Sequence, residues 1–300
     1  MDSYDCLVAG AGPAGLSAAL MLGRCRRRVL VCDTGAPRNR RSHAVHGFLT
    51  RDGTPPAELL TLAREELRPY DTVELCEARV IEAVPVSGGF VVRCEDGREV
   101  RCRKLLLATG VVDELPAIPG IEAFYGRSVH HCPYCDGWEW RDRPIASYGR
   151  EQQGAVLALS LSQWSRDVLV CTDGPATLSA EMRGRLRARG IRVREDRVVR
   201  LEGQAGLLER IVFDAGPAEL RCALFFATGQ RQASELPARL GCRFTDNGTV
   251  ATGKCEATNV PGLYVCGDAS KEAQFVVVAA AEGAEAAMAI NKALLEEELG

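Results

Sequence analysis

The sequence lacks any uninterrupted apolar run of about 18 residues, the length that a membrane-spanning helix requires. It also lacks a long basic block, because 37 Lys and Arg stand against 40 Asp and Glu, for a formal net charge of −3. These absences argue against membrane and nucleic-acid partners. The opening residues, MDSYDCLVAG, have neither the basic nor the long apolar segment of a signal peptide. We therefore expect a soluble, cytoplasmic protein.

Arginines do concentrate in two short segments, RCRRR at residues 24–28 and RNRR at residues 38–41. Like charges that lie side by side are usually solvated. We therefore interpret both segments as exposed turns.

The chain also lacks a linker rich in Ser, Gly or Pro, although 300 residues that are 46% hydrophobic suffice for two domains with cores of their own. Most of the 13 cysteines stand singly, and several fall in apolar runs, as Cys6, Cys32, Cys171 and Cys266 do. Such cysteines are interpreted as small buried hydrophobic residues rather than as a disulfide framework. Only Cys132 and Cys135 form a close pair.

The first 33 residues predict a dinucleotide site. An apolar strand, YDCLVAG, is followed by the turn Gly10-x-Gly12-x-x-Gly15, a helix and a second strand that ends at Asp33. The first glycine permits a tight turn, the second lets a pyrophosphate approach the backbone, and the third lets the helix pack on the strand. The helix N-terminus then faces the phosphates, and Asp33 accepts the ribose hydroxyls.

A second unit of the same kind begins at RPIASY and continues through Gly149 and Gly154 to the strand DVLVCTD. Its middle glycine is replaced by Glu151, whose charge and volume both oppose a pyrophosphate. No arginine follows in CTDGPATLS to hold a 2′-phosphate, although Asp173 is placed to meet an unphosphorylated ribose. We interpret this unit as a retained scaffold that binds NADPH poorly.

Two strands end in the same letters, KLLLATG at residues 104–110 and ALFFATG at residues 223–229, which indicates an internal duplication. Near the end, NVPGLYVCGDAS delivers Gly267 and Asp268 from a strand, ahead of an alanine-rich helix. The predicted fold class is α/β, with two Rossmann-like three-layer nucleotide-binding domains, the second inserted into the first. The predicted boundaries give residues 1–113 and 236–300 to the first domain and residues 114–235 to the second.

The segment HHCPYCDGW, residues 130–138, carries the cysteine pair. A zinc site needs four ligands, and there is no second Cys-x-x-Cys, although His130 and His131 are conceivable as the other ligands. A structural disulfide fits a reducing cytoplasm poorly. Redox use fits best, because such a pair opens and closes a disulfide with little backbone movement. No metal is expected.

The whole chain resembles the low-molecular-weight thioredoxin reductase family. The resemblance rests on five motifs in order: GAGPAGLSAAL, LLLATG, CPYCDG, FFATG and GLYVCGDAS. It implies FAD in the first domain, a redox-active cysteine pair on the inserted domain, and a homodimer. It also implies a set of FAD-binding residues, namely Gly10, Gly12, Pro13, Ala14, Gly15, Asp33, Thr34, His46, Val80, Thr109, Gly110, Gly267, Asp268, Gln274 and Phe275.

The same resemblance assigns roles to the residues of the cysteine segment. It implies that Cys135 is the sulfur next to the flavin, that Cys132 exchanges with the substrate, and that Asp136 is the acid/base for the departing thiolate. Asp136 is also placed to be the N-cap of a helix after the cysteine turn, which is compatible with that role. Either histidine is a candidate to assist the thiols. Trp138 and Trp140 are candidates to wall a substrate groove, and we expect them to be core aromatics.

The predicted function is that of a FAD-dependent thiol-disulfide oxidoreductase that uses NADPH poorly. Its expected partner is a thioredoxin-like protein or a small dithiol or disulfide, with ferredoxin or another donor in place of NADPH. Other functions remain open: an NADPH- or NADH-dependent thioredoxin reductase, a dithiol oxidase that makes disulfides in a small molecule, or a non-catalytic flavin redox sensor. A ferredoxin- or flavodoxin-type NADPH reductase shares the fold, but such enzymes lack the cysteine pair.

Overall fold

A computed structural model describes residues 1–300. It contains seventeen strands, listed here in chain order: β1 (Asp2–Ala9), β2 (Val29–Asp33), β3 (Val73–Glu77), β4 (Val80–Val86), β5 (Gly89–Cys94), β6 (Glu99–Leu107), β7 (Val111–Asp113), β8 (Val129–His130), β9 (Ile145–Tyr148), β10 (Val168–Cys171), β11 (Arg192–Arg194), β12 (Val198–Gln204), β13 (Leu207–Phe213), β14 (Glu219–Leu220), β15 (Ala223–Phe226), β16 (Gln230–Gln232) and β17 (Leu263–Val265).

Seven α-helices accompany the strands: α1 (Pro13–Arg24), α2 (Pro56–Leu67), α3 (Pro133–Asp136), α4 (Glu151–Leu161), α5 (Ala180–Ala188), α6 (Leu236–Arg239) and α7 (Val276–Leu299). Single 3₁₀ turns lie at Ile121–Ala123, Trp138–Trp140, Lys254–Glu256 and Gly267–Ala269. None of the helices combines the length and the apolar composition needed to cross a membrane.

The chain divides into two compact units. The first comprises Met1–Arg40, Gly47–Val112 and Arg231–Gly300, and the second comprises Arg41–His46 and Asp113–Gln230. The predicted domain ranges differ from these units at Asp113, at residues 231–235 and at Arg41–His46. The assignment of each domain to a cofactor stays a prediction.

The first unit is built on a parallel sheet in the order β3-β2-β1-β6, with β17 beside the second half of β6. Strand β1 reads CLVA at its end, and this nearly continuous apolar run is typical of a strand covered on both faces. Helices α1 and α7 cover one face. The antiparallel strands β4 and β5, which continue from the first half of β6, cover the other face.

The second unit repeats this plan. Its parallel sheet has the order β11-β10-β9-β15-β8. Helices α4 and α5 pack on one face, and the antiparallel strands β12 and β13 pack on the other. Each unit therefore has three layers, as predicted.

All loops that follow parallel strands emerge at one edge of a sheet, where α/β proteins bind ligands. In the first unit this edge carries the turn after β1, the acid after β2, the ATG segment after β6 and the Gly-Asp pair after β17. In the second unit it carries the cysteine segment after β8 and the altered glycine turn after β9.

Candidate active site

The turn after β1 is open on the side where a phosphate would approach. Gly10 has a φ of 108°, and a Cβ there would lie 2.3 Å from the carbonyl oxygen of Ala108. A Cβ on Gly15 would lie 1.8 Å from the carbonyl oxygen of Gly10, so both positions require glycine. A Cβ on Gly12, by contrast, would have no heavy atom within 4 Å. The backbone of Gly12 is therefore accessible to a ligand.

Helix α1 begins at this turn without a capping side chain. Its N-cap is Gly12, Pro13 occupies the first turn, and no acidic residue lies in that turn. The N–H groups at the start of the helix, including that of Ala14, therefore have no competing anion from the chain. This geometry fits the pyrophosphate of a dinucleotide.

Asp33 closes β2 at the same edge and ties the two loops together. Its Oδ1 accepts the N–H of Ala11 at 3.1 Å, and its Oδ2 accepts the N–H of Gly35 at 3.1 Å. Arg64 on α2 also reaches Oδ2, at 3.0 Å. Thr34, the next residue, is exposed. The predicted ribose acceptor is thus held beside the glycine turn.

The end of β6 leads to a buried hydroxyl group that has no hydrogen-bond partner in the protein. Thr109 directly follows Ala108, whose carbonyl contacts the Gly10 position, and Gly110 follows it with a φ of 67°. The Oγ1 of Thr109 is buried and has no hydrogen-bond partner within the protein. A buried hydroxyl without a partner is costly. Its position fits contact with a bound cofactor.

Asp268 is held by a residue that the sequence interpretation missed. Nη1 of Arg38 lies 2.8 Å from Oδ2 of Asp268 and 2.6 Å from Oε1 of Gln274. The Arg38 side chain is only 15% exposed. Without this cation, the carboxylate of Asp268 would repel a neighbouring pyrophosphate.

The interpretation of residues 38–41 as an exposed turn is therefore wrong for Arg38. The interpretation of residues 24–28 is wrong for Arg27, which is buried and binds Asn291 at 2.8 Å and Glu298 at 2.6 Å. Both arginines find acids that lie more than 200 residues away in the chain. A local charge pattern carries no signal for such contacts.

The Gly-Asp turn after β17 rests on α7. The N–H of Gly267 donates to Oε2 of Glu282 at 2.8 Å, and Glu282 is buried. Burial is the main cause that raises the pKa of Glu282 to about 7, with Glu256 and Asp268 adding repulsion and Lys271 opposing them. Glu282 was not among the predicted site residues, because an acid in an alanine-rich helix looks like a solvated position.

Three further predicted cofactor residues lie in different parts of the structure. Val80 begins β4, and its side chain packs into the core. Phe275 is the N-cap of α7, so it lies next to Gln274 at the start of that helix. His46 belongs to the second compact unit, where its Nε2 lies 3.5 Å from Oε1 of Glu139. The structure thus groups His46 with the cysteine-bearing unit rather than with the turn after β1.

Cys132 and Cys135 form a disulfide at the start of α3. Cys132 is the N-cap of the helix, and its sulfur accepts the N–H of Cys135 at 3.2 Å. Pro133 then occupies the first helical position, where its missing N–H costs nothing. Both cysteines are partly exposed. The same N–H would stabilise a thiolate on Cys132.

Asp136 ends α3, one residue after Cys135. The interpretation of Asp136 as a helix N-cap is wrong, because Cys132 caps α3 and Gly137 caps the 3₁₀ turn that follows. Oδ1 of Asp136 lies 3.2 Å from Nδ1 of His130, which is buried on β8. Nε2 of His130 accepts a hydrogen bond from Nε1 of Trp140 at 3.0 Å. The carboxyl group beside the disulfide therefore has a defined partner.

The two tryptophans that follow the cysteine pair and the second histidine that precedes it have different surroundings. Trp140 is buried, as expected, whereas Trp138 is 64% exposed, so the expectation of a core position is wrong for Trp138. The guanidinium of Arg141 lies over the Trp138 ring, 4.2 Å from its centroid. His131 is directed to Asp113, with Nδ1 3.8 Å from Oδ2. No group of three or more His, Cys, Asp or Glu is arranged to hold a metal ion.

The turn after β9 keeps its packing glycines but not an open phosphate face. A Cβ on Gly154 would lie 2.4 Å from the carbonyl oxygen of Gly149. Glu151 stands as the first residue of α4 with a φ of 57°, in the left-handed region that favours glycine. A carboxylate thus occupies the first turn of the helix. Gln152 has a buried Oε1 without a partner, but an acceptor cannot hold phosphate oxygens.

Asp173, the acid after β10, is engaged by the protein itself. Its Oδ2 accepts the hydroxyl of Tyr148 at 2.9 Å, and its Oδ1 accepts the N–H of Val198 at 2.9 Å. Arg150 also lies 3.4 Å from Oδ2. These contacts hold the carboxylate of Asp173 in place at the end of β10.

Known proteins are similar to this chain over nearly its whole length. A family profile described as "Pyridine nucleotide-disulphide oxidoreductase" matches residues 4–283. The chain is 29% identical over 307 residues to "Thioredoxin reductase aclD" of Aspergillus oryzae, covering 98% of each protein. It is 30% identical to "Thioredoxin reductase sirT" of Leptosphaeria maculans, covering 96% of this chain and 93% of the relative. The crystal structure of TrxB from Bacillus anthracis superposes with a TM-score of 0.93 at 32% identity, over 98% of this chain and 99% of that one.

Proposed function

The chain belongs to the pyridine nucleotide-disulphide oxidoreductase family, and on that premise we propose that it exchanges electrons between FAD and a substrate disulfide or dithiol through Cys132 and Cys135. The predicted resemblance to thioredoxin reductases, the α/β fold class and the FAD-dependent oxidoreductase class are confirmed. The observation that carries the proposal is the partly exposed Cys132–Cys135 disulfide with Asp136 directly beside it.

In the reducing direction, the thiolate of Cys132 attacks one sulfur of the substrate disulfide. A bond forms between Cys132 and the substrate, the substrate S–S bond breaks, and the departing thiolate takes a proton from Asp136. The thiolate of Cys135 then attacks Cys132. The enzyme disulfide forms again, and the second substrate sulfur leaves and takes a proton from water. The substrate gains two electrons, and dithiol oxidation is the reverse sequence.

FAD, when bound, supplies or accepts the two electrons of the cysteine pair. The turn at Gly10, Gly12 and Gly15 fits its pyrophosphate, because the helix N-terminus there is open and uncapped. Asp33 suits the adenosine ribose. Thr109 and the Arg38–Asp268 pair suit the central part of the cofactor. These residue roles are proposals that the unpartnered hydroxyl of Thr109 supports.

NADPH is a poor electron donor for this protein, in our proposal. The carboxylate of Glu151 stands in the first turn of α4. A phosphate at this turn would meet a like charge. Reduced ferredoxin, another non-nicotinamide donor or a dithiol substrate takes its place.

We further propose a thioredoxin-like protein or a small dithiol or disulfide as the partner, and a cytoplasmic homodimer as the working form. The relatives named thioredoxin reductase support the first part. A flavin redox sensor without catalysis would use the same cysteines. Steady turnover of a disulfide distinguishes the enzyme from the sensor.

Anaerobic stopped-flow mixing tests the electron donor. The FAD-loaded, oxidised protein is mixed in turn with NADPH, NADH, reduced ferredoxin and dithiothreitol, and flavin bleaching is followed. We expect slow or no bleaching by NADPH and NADH, because the pyrophosphate of each would meet the carboxylate of Glu151, and faster bleaching by reduced ferredoxin or dithiothreitol. Bleaching by micromolar NADPH at about 10 per second, an ordinary turnover rate, would show that the second nucleotide site is functional.

A further inference from the structure

His130 is held in one tautomer by its surroundings. The ring is only 5% exposed and packs against Phe225, with centroids 5.3 Å apart. The indole N–H of Trp140 donates to Nε2 at 3.0 Å. An indole nitrogen can only donate, so Nε2 must offer its lone pair. The ring proton of neutral His130 therefore sits on Nδ1.

That proton points to the acid beside the cysteine pair. Nδ1 lies 3.2 Å from Oδ1 of Asp136, within hydrogen-bonding distance. The side chain of Asp136 is 21% exposed, so one oxygen can be held by His130 while the carboxyl group still meets solvent or substrate. The two hydrogen bonds thus run in one direction: Trp140 donates to His130, and His130 donates to Asp136.

We propose that His130 and Trp140 are positioning residues for the acid/base Asp136, an inference that rests on the proposed function. His130 holds one carboxyl oxygen and leaves the other for the sulfur of a departing thiol. Trp140 fixes the tautomer that makes this possible. Because Nε2 is engaged by the indole, His130 can accept a second proton only if the Trp140 bond breaks, so the proton moves between Asp136 and sulfur.

The tautomer is tested by long-range ¹H–¹⁵N NMR of the histidine rings in the full-length protein. The chain has four histidines, and His130→Asn identifies the His130 signals by their loss. We expect a protonated Nδ1 and an unprotonated Nε2 in the wild type, and loss of this single pattern in Trp140→Phe. A wild-type His130 protonated on Nε2 would overturn the proposal.

The positioning role is tested by single-turnover reduction of two disulfides with protein reduced by stoichiometric dithionite. Bis(2-hydroxyethyl) disulfide releases a basic thiolate that needs a proton, whereas 5,5′-dithiobis(2-nitrobenzoate) releases a weakly basic one that does not. His130→Leu should slow the first reaction by roughly 10- to 100-fold, near the effect of Asp136→Asn, and leave the second almost unchanged. His130→Asn retains an N–H near the place of Nδ1 and should recover most of the rate.

A double variant and a second control complete the test. His130→Leu combined with Asp136→Asn should be no slower than Asp136→Asn alone, because both changes act through one carboxyl group. Equal slowing of both disulfides by His130→Leu and by His130→Asn would indicate a merely structural role and overturn the proposal. If the reduced wild-type protein reduces neither disulfide, the proposed function itself fails.

Discussion

Among single residues, Arg38 is the cation on which the proposed cofactor site depends. Its guanidinium binds Asp268 and Gln274 at once and is largely shielded from solvent. An acid next to a pyrophosphate needs such a cation, because two like charges in a shielded place repel strongly. Its fixed planar fork also suits two acceptors better than a lysine ammonium does.

Replacement of Arg38 should therefore weaken FAD binding. We expect Arg38→Met to raise the Kd for FAD at least tenfold, about 1.4 kcal/mol, and Arg38→Lys to have a smaller effect. The measurement is FAD titration by flavin fluorescence. Arg40→Met is the matched control, because Arg40 is exposed and its guanidinium donates to the carbonyl of Ala36 at 3.5 Å, away from Asp268 and Gln274. Equal Kd values in Arg38→Met and Arg40→Met would remove Arg38 from the site.

The two sulfurs of the pair differ in their immediate surroundings. Only Cys132 accepts a backbone hydrogen bond at the start of α3, which favours it as the outward nucleophile. In the reduced, FAD-loaded protein we expect a long-wavelength charge-transfer band from a Cys135 thiolate. The band should persist in Cys132→Ser and vanish in Cys135→Ser, as read from absorbance spectra. The reverse pattern would exchange the roles assigned to the two sulfurs.

Among the helices, α1 and α4 differ in their first turns, and this difference underlies the ligand binding that we propose for each unit. Both helices follow a parallel strand through a glycine turn, and both lack a capping side chain. Helix α1 has no acid in its first turn, whereas α4 begins at Glu151. The carboxylate of Glu151 thus makes the N-terminus of α4 unfavourable for an anion, whereas the N-terminus of α1 favours one.

Glu151→Gly should change both binding and stability. Glycine accepts the φ of 57° without strain, so we expect the free energy of unfolding to rise by about 1 kcal/mol. NADPH affinity should also increase, because space and positive potential return to the turn. Urea unfolding and stopped-flow reduction by NADPH measure the two effects. Glu181→Gly, at the start of α5, is a control for the loss of one acidic side chain in a first helical turn.

At the scale of the whole molecule, the buried carboxyl group of Glu282 links pH to stability. Its pKa is raised to about 7 in the folded protein, from an ordinary value of 4.5. The folded state therefore binds more protons than the unfolded state between these two values. The stability contributed by this group is present at low pH and is lost as the pH rises towards about 7.

Glu282→Gln should flatten this dependence. The amide still accepts the N–H of Gly267 and has no proton to lose. We expect the wild-type free energy of unfolding to fall between pH 5 and pH 8, relative to the variant, by at most about 3 kcal/mol. Urea unfolding at saturating FAD gives both values. Glu285→Gln, at an exposed position of α7, should follow the wild type, and the same flattening there would argue against Glu282 as the source.

Local sequence patterns predicted the elements whose cause lies within a few residues. The glycine spacing after β1, the nearly continuous apolar strands and the Cys-x-x-Cys pair each follow from backbone geometry or from side chains a few residues apart. The fold class and the presence of a redox-type cysteine pair could be derived from such patterns, whereas the position of the pair at the start of α3 was not predicted. The altered turn at Glu151 was also visible in the sequence, since a missing glycine is a local feature.

Contacts between distant side chains follow from the folded structure and not from any local pattern. The Arg38–Asp268 pair, the Gly267–Glu282 hydrogen bond and the engagement of Asp173 by Tyr148 join residues between 15 and 230 positions apart. Hydrogen bonds and ion pairs depend on atoms brought within about 3 Å, and a sequence pattern fixes such distances only within one turn of helix or one strand pair. The contact between Trp140 and His130 belongs to the same class, because β8 and the following 3₁₀ turn must fold together before Nε2 finds its donor.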